Sequence, residues 1–201
     1  MSRLEQKSQT RQRIVEAAGR SFRKGGFGGV GVDGLAKEAG VTSGAFYGHF
    51  GSKSDAFHEA VVHGMADLKA GVLHYQQTHG SLWWPEFVKF YLGAKRRCDL
   101  AESCGLQALS PDVVRASPEV REAFEGGLKE VSAAILSGPK SPRAPRDEAG
   151  ACSALSALVG AVTLARAVGS EQFADAIAAS AGVALLGDLW RPTEELVRAS
   201  G

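Results

Sequence analysis

The sequence predicts an all-α protein of about nine helices, with a three-helix N-terminal unit built around a helix-turn-helix and a larger helical region behind it. Three observations predict it. Apolar residues recur every three or four positions along almost all of the 201 residues, alternating strand-like runs are scarce, and the chain is alanine-rich beyond position 149.

The first helix is expected from about Ser8 to Lys24, with Ile14, Ala17, Ala18, Ser21 and Phe22 on one face and basic residues on the other, ended by Gly25 and Gly26. A short second helix from Val32 to Ala39 turns Leu35 and Ala36 inward and stops at Gly40, a residue suited to the left-handed position after a helix. Val41 plugs the core, and Thr42 or Ser43 caps a third helix reaching His49. Ser52 to Asp55 forms a capping box that opens a long fourth helix toward Gln77. An aromatic-rich helix is expected from Leu82 to Cys98, then a less regular stretch to Ala116. Ser117, Pro118 and Glu119 start a helix running to about Leu136. Prolines 139, 142 and 145 make Ser137 to Pro145 an exposed loop. Two helices close the chain. Glu148 to Val168 aligns Leu155, Leu158, Val162 and Ala165, and a last helix capped by Ser170 aligns Phe173, Ile177, Leu185 and Leu189.

Hydrophobic residues at 44% and charged residues at 22% are ordinary for a globular protein, and no apolar run approaches the roughly 18 residues that would span a bilayer. Residues Met1 to Thr10 are polar and lack the apolar region of a secretory signal, so a cytoplasmic protein with no membrane association is expected. Cys98, Cys104 and Cys152 are then reduced thiols. The net charge of +1 conceals an asymmetry: the first 24 residues hold seven basic and two acidic side chains, a pattern of one end meeting a polyanion.

Residues Val32 to His49 meet the needs of a helix-turn-helix, in which the second helix lies in a major groove and the first braces it. Leu35, Ala36, Ala39, Val41, Phe46 and Phe50 can pack on Ile14, Ala18, Phe22 and Phe27, leaving Thr42, Ser43, Gly44, Ala45, Tyr47, Gly48 and His49 outward. Short side chains let the backbone approach base edges. Ala45 can touch a thymine methyl, and Ser43 or His49 can bond to bases. Tyr47 and Lys53 suit phosphates, Lys53 lying in the first turn of the fourth helix where backbone N–H groups assist.

The ordered set of Gly26, Phe27, Val32 to Ala36, Ala39 to Phe50, Ser52 and Lys53 resembles the DNA-binding domain of the tetracycline-repressor (TetR) family over Arg11 to Phe57. The resemblance implies a DNA-binding domain over residues 1–52 and a ligand-binding and dimerisation domain over 53–201. It also implies a homodimer formed through the last two helices, pseudo-palindromic operator DNA as partner, and release of a repressor by a small-molecule inducer. An inducer pocket would lie between Leu68 and Val168, with Trp83, Phe87, Phe90, Tyr91, Leu106, Phe124, Leu128, Leu158 and Val162 as candidate lining. Two departures stand out. Val30 and Gly31 replace the usual threonine or serine before the second helix, and Gly48 replaces a larger side chain, so fewer DNA contacts are expected. Because Arg96 and Arg97 can lower a neighbouring thiol pKa, Cys98 and Cys104 offer an alternative, a regulator of this fold that senses oxidants or electrophiles.

Other patterns point away from catalysis. Gly26, Gly28 and Gly31 have dinucleotide-fingerprint spacing but follow a helix, whereas a pyrophosphate cradle needs a strand-turn-helix. His58 and His63 are five residues apart and so point about 140° from each other on a helix, which prevents shared metal ligation. With no nucleophile, base and orienting group grouped together, neither enzyme activity nor a cofactor or metal is expected. A protein-binding adaptor is the remaining rival class.

Overall fold

The computed structural model describes residues 2–191, and all regular structure among them is helical. The α-helices are α1 (Arg3–Gly29), α2 (Val32–Glu38), α3 (Ser43–Tyr47), α4 (Lys53–His79), α5 (Trp83–Leu92), α6 (Ala94–Arg97), α7 (Gly105–Val113), α8 (Pro118–Leu136), α9 (Glu148–Ala167) and α10 (Glu171–Leu186). Short 3-10 turns cover Gly80–Leu82, Leu100–Glu102 and Gly187–Leu189.

The chain forms two compact units, one of Met1–Leu68 with Asp99–Leu128 and one of Lys69–Cys98 with Lys129–Gly201. In the first, α1 packs against α2, α7 and the Leu100–Glu102 turn. Its core joins Ile14, Ala18 and Phe22 to Leu35, Phe46, Phe50, Phe57, Val61, Leu109 and Val113. The rings of Phe22, Phe27 and Phe57 form a triangle with centroids 5.1 to 5.9 Å apart. The packing of this unit extends past residue 52, since the start of α4 and Leu109 and Val113 of α7 share the core of α1, α2 and α3.

The second unit packs α5 against α9 and α10, and α9 against α10. Trp83, Trp84, Phe87 and Tyr91 are buried in it. Trp83 donates its Nε1 proton to the Pro139 carbonyl, 2.9 Å away, pinning the loop that follows α8. Buried Arg96 and half-exposed Arg97 both bond to Asp175 Oδ1, which ties α6 to α10.

Several elements depart from the sequence expectation. Helix α1 starts at Arg3, not Ser8, because Ser2 and Glu5 form a capping box too polar to register in an apolar pattern. It runs past Gly25 to a break at Gly26, whose φ of 71° is left-handed and suits glycine. The segment Leu82 to Cys98 is two helices split at Gly93, whose φ and ψ of −99° fit neither helix. The stretch to Ala116 contains helix α7, masked in the sequence by Pro111 within it. On α10 the buried stripe is Ala174, Ala178, Gly182 and Leu186, while Phe173 is 58% exposed. The reason is space. Small side chains let α10 approach its neighbours, and any Cβ on Gly182 would run into the Trp190 ring. Finally, α9 and the segment Glu171–Leu189 are long and apolar enough by length and composition to cross a membrane, a property the absence of one unbroken apolar run had hidden.

Candidate nucleic-acid interface

Helix α3 is placed by local signals that hold in three dimensions. Ala39 ends α2, Gly40 adopts a φ of 66°, and the Val41 N–H bonds to the Ala36 carbonyl at 2.9 Å, closing a tight turn. Thr42 then caps α3, its hydroxyl accepting the Ala45 N–H at 3.1 Å. The helix ends at Tyr47, two residues before the expected His49, with Gly48 as its C-cap and the Phe50 N–H bonded to the Phe46 carbonyl.

Phe46 and Phe50 point into the core, fully and almost fully buried, with ring centroids 5.6 Å apart. Thr42, Gly44, Ala45, Tyr47 and Gly48 are exposed, and Ser43 and His49 are half-buried, so the outward set forms one small-residue surface flanked by a tyrosine. The Ser43 hydroxyl is already engaged, donating to Asp33 Oδ1 at 2.5 Å and tying the start of α3 to the first turn of α2. His49 has a buried Nδ1 with no hydrogen-bond partner among the described residues. Burial holds its imidazole below the ordinary histidine range, and the positive charges of Lys7 and Arg11 push the same way.

Lys53 has a contact that the sequence pattern does not reveal. Its ammonium donates to the carbonyls of Phe27, at 2.9 Å, and Val30, at 3.2 Å, and sits 4.2 Å from the centroid of the Phe27 ring. It therefore stabilises the carbonyl end of α1. An ammonium carries three protons, so one donor remains for an outside oxygen.

Much of the basic character of the first 24 residues is used inside the protein. Arg11 pairs with Glu59 at 3.0 Å and stacks over Phe50, Arg13 donates to the Ala39 carbonyl at 3.2 Å, and Arg20 pairs with Glu38 at 3.3 Å. Arg23 donates to the Ala101 carbonyl at 2.6 Å. Arg3 and Lys7, one turn apart and exposed, have no ion-pair partner among the described residues. Sequence reasoning missed Arg13 and Asp33, whose roles need partners 26 and 10 residues away. As the departures at positions 30 and 31 imply, α2 starts at Val32 behind Gly31, which supplies no side-chain cap.

The remaining candidates fall elsewhere. Trp83, Phe87, Phe90, Tyr91, Leu158 and Val162 lie in the second unit and Leu106, Phe124 and Leu128 in the first. Phe87 contacts Tyr91, Trp84 and Tyr75 through its ring, while Phe90, 37% exposed, contacts Tyr75. Cys104 is buried. Cys98 is half-buried, its Sγ donating to the Lys95 carbonyl and lying 3.4 Å from Arg166 Nη2. His63 bonds to Asp67, and no group of three or more histidine, cysteine or acidic side chains among the described residues could hold a metal ion.

The sequence profile of bacterial regulatory proteins of the tetR family matches residues 14–60, a span that covers most of α1, the turn, α3 and the start of α4. Over these residues the chain matches the tetR family. It is 47% identical over 51 residues to the HTH-type transcriptional regulator AcrR of Shigella flexneri, a match that spans 25% of this chain and 24% of that one. Solved structures of tetR-type regulators extend the likeness of fold. A TetR-family regulator from Agrobacterium tumefaciens superposes with a TM-score of 0.66 at 19% identity, covering 90% of this chain and 100% of that one. The reduced form of Escherichia coli NemR gives 0.69 at 18% identity, covering 92% and 98%. The departures Val30, Gly31 and Gly48 thus lie within the tetR-matched segment.

Proposed function

We propose that this chain is a homodimeric transcriptional repressor in the cytoplasm, released from a pseudo-palindromic operator by a small-molecule inducer. The observation that carries the reading is the capped helix α3 inside the tetR-matched segment, with its core face anchored by Phe46 and its outer face made of small residues and Tyr47. Residues 1–52 read the DNA, and residues 53–201 dimerise and hold the inducer. Ser43, Ala45 and His49 face bases, Thr42 and Gly44 allow close backbone approach, and Tyr47 and Lys53 hold phosphates. The nine residues named as pocket lining, led by Trp83 and Phe87, are the inducer-site candidates. Inducer binding lowers operator affinity by favouring a dimer whose two α3 helices are spaced wrongly for successive major grooves.

The test is operator selection from random DNA, followed by gel shifts. Tyr47→Ala is expected to weaken binding to all sequences about equally, whereas Ser43→Ala and His49→Ala alter preference at particular base pairs, each by about 1–3 kcal/mol. Failure to enrich any sequence, or unchanged affinity in all three variants, would refute the reading.

Support for the dimer comes from the surface of α9 and α10, where Leu164, Phe173 and Val183 are each more than half exposed. Large apolar groups spread along two helices make an interface surface. Phe173→Glu is expected to shift the protein from dimer to monomer in sedimentation velocity at micromolar concentration. A dimer that persists in that variant would place the interface elsewhere.

A further inference from the structure

A cavity of about 420 Å3 lies in the first unit, between the end of α1, the start of α4 and the segment joining α7 to α8. Its size is in the range of small-molecule sites. Part of its wall is deeply buried and apolar: Phe57 and Val120 are 2% and 3% exposed, and the Phe27 ring stands edge-on to Phe57 at 5.1 Å. Phe27 is held on both sides, its N–H bonded to Asp112 Oδ2 at 2.8 Å and its carbonyl to Lys53. The opposite character appears at Arg115, whose side chain is 72% exposed and whose described bond is a long one, 3.4 Å to Asp112 Oδ1.

We propose that this cavity binds a small aromatic carboxylate, its ring against Phe27, Phe57 and Val120 and its carboxylate paired with the Arg115 guanidinium. The charge layout selects the anion. Both Asp112 oxygens already accept protein donors, so a cationic ligand would displace an existing bond and face the Arg115 charge. A carboxylate instead engages guanidinium donors beyond the one aimed at Asp112, and a fork of two parallel N–H groups suits it. The Ser54 hydroxyl, also on the wall, supplies a neutral donor. The occupant would touch the ends of both segments that flank α2 and α3, so it also shifts DNA affinity. That consequence rests on the DNA-reading function proposed above, but the binding itself does not.

The test is calorimetric titration of the full-length protein, without DNA, using naphthalene-1-carboxylate and its uncharged counterpart naphthalene-1-methanol. The carboxylate is expected to fill one site per chain and to bind about tenfold tighter than the alcohol. Arg115→Ala should erase that difference while leaving the alcohol unaffected. A Cβ at Gly28, on the cavity wall, meets no atom within 4 Å, so Gly28→Leu adds bulk at this wall without a clash at its Cβ and should weaken both ligands about tenfold or more. Absence of binding, equal affinity for the two probes, or affinities unchanged in both variants would overturn the site. In a second arm, saturating carboxylate should change affinity for a selected operator about fivefold or more in the wild type and not in Gly28→Leu. No change there would overturn the coupling, while the binding arm alone decides the site.

Discussion

Phe46→Ala is expected to lower stability by about 3–5 kcal/mol and to abolish operator binding, the largest effect of any substitution in α3. Phe46 is fully buried, packs on Phe50 and Tyr47, and belongs to the same core as Ile14, Phe22 and Leu35. A five-residue helix cannot hold itself together in water, so α3 exists because this ring anchors it. Truncation leaves a cavity that a unit of this size cannot fill by collapse. Thermal unfolding followed by circular dichroism measures the loss, and gel shifts measure the binding. Tyr47→Ala is the control. Its ring is 57% exposed, so stability should change by less than about 1 kcal/mol while DNA affinity falls. An unchanged melting curve for Phe46→Ala would mean that the anchor of α3 lies elsewhere.

Lys53→Met is expected to have the next largest effect, because it removes one charge with two tasks. The methionine keeps an apolar stem over the Phe27 ring but loses the donors to the Phe27 and Val30 carbonyls. Hydrogen bonds from a charged group stabilise more than neutral ones, and the site is half-exposed, so a loss of about 2 kcal/mol is expected. If the third donor also holds a phosphate, the slope of log affinity against log salt falls by about 0.9. Destabilisation with an unchanged salt slope would assign Lys53 to the end of α1 alone. An unchanged stability would refute the capping role.

Local signals were legible at the level of single residues. The sequence marks Thr42 or Ser43, Ser52, Ser117 and Ser170 as helix starts, and α3, α4, α8 and α10 begin immediately after Thr42, Ser52, Ser117 and Ser170. Gly40 suits a left-handed stop by its residue type alone and has a φ of 66°. The inward set of Leu35, Ala36, Phe46 and Phe50 was also legible, because short helices between strong caps leave few faces to choose from. Less was legible in α10. Nearly every position there is apolar, so periodicity of the large side chains marked Phe173, whereas packing selected the alanine and glycine face.

The charged residues divide along the same line. Seven basic side chains in the first 24 residues read as a surface awaiting a polyanion, yet Arg11, Arg13, Arg20 and Arg23 find carboxylates or carbonyls within the first unit. What the sequence determined by itself is what neighbours three or four residues apart decide: the caps, the turn at Gly40, the inward phenylalanines and the tetR-type pattern around α3. What only the tertiary structure decided is every partnership over longer range: Asp33 with Ser43, Lys53 with the end of α1, Arg115 at the mouth of a cavity, and the buried face of α10. The physical reason is that a cap or a helical stripe is closed by the chain's own local geometry, whereas these contacts depend on which helices meet and how closely their side chains let them approach.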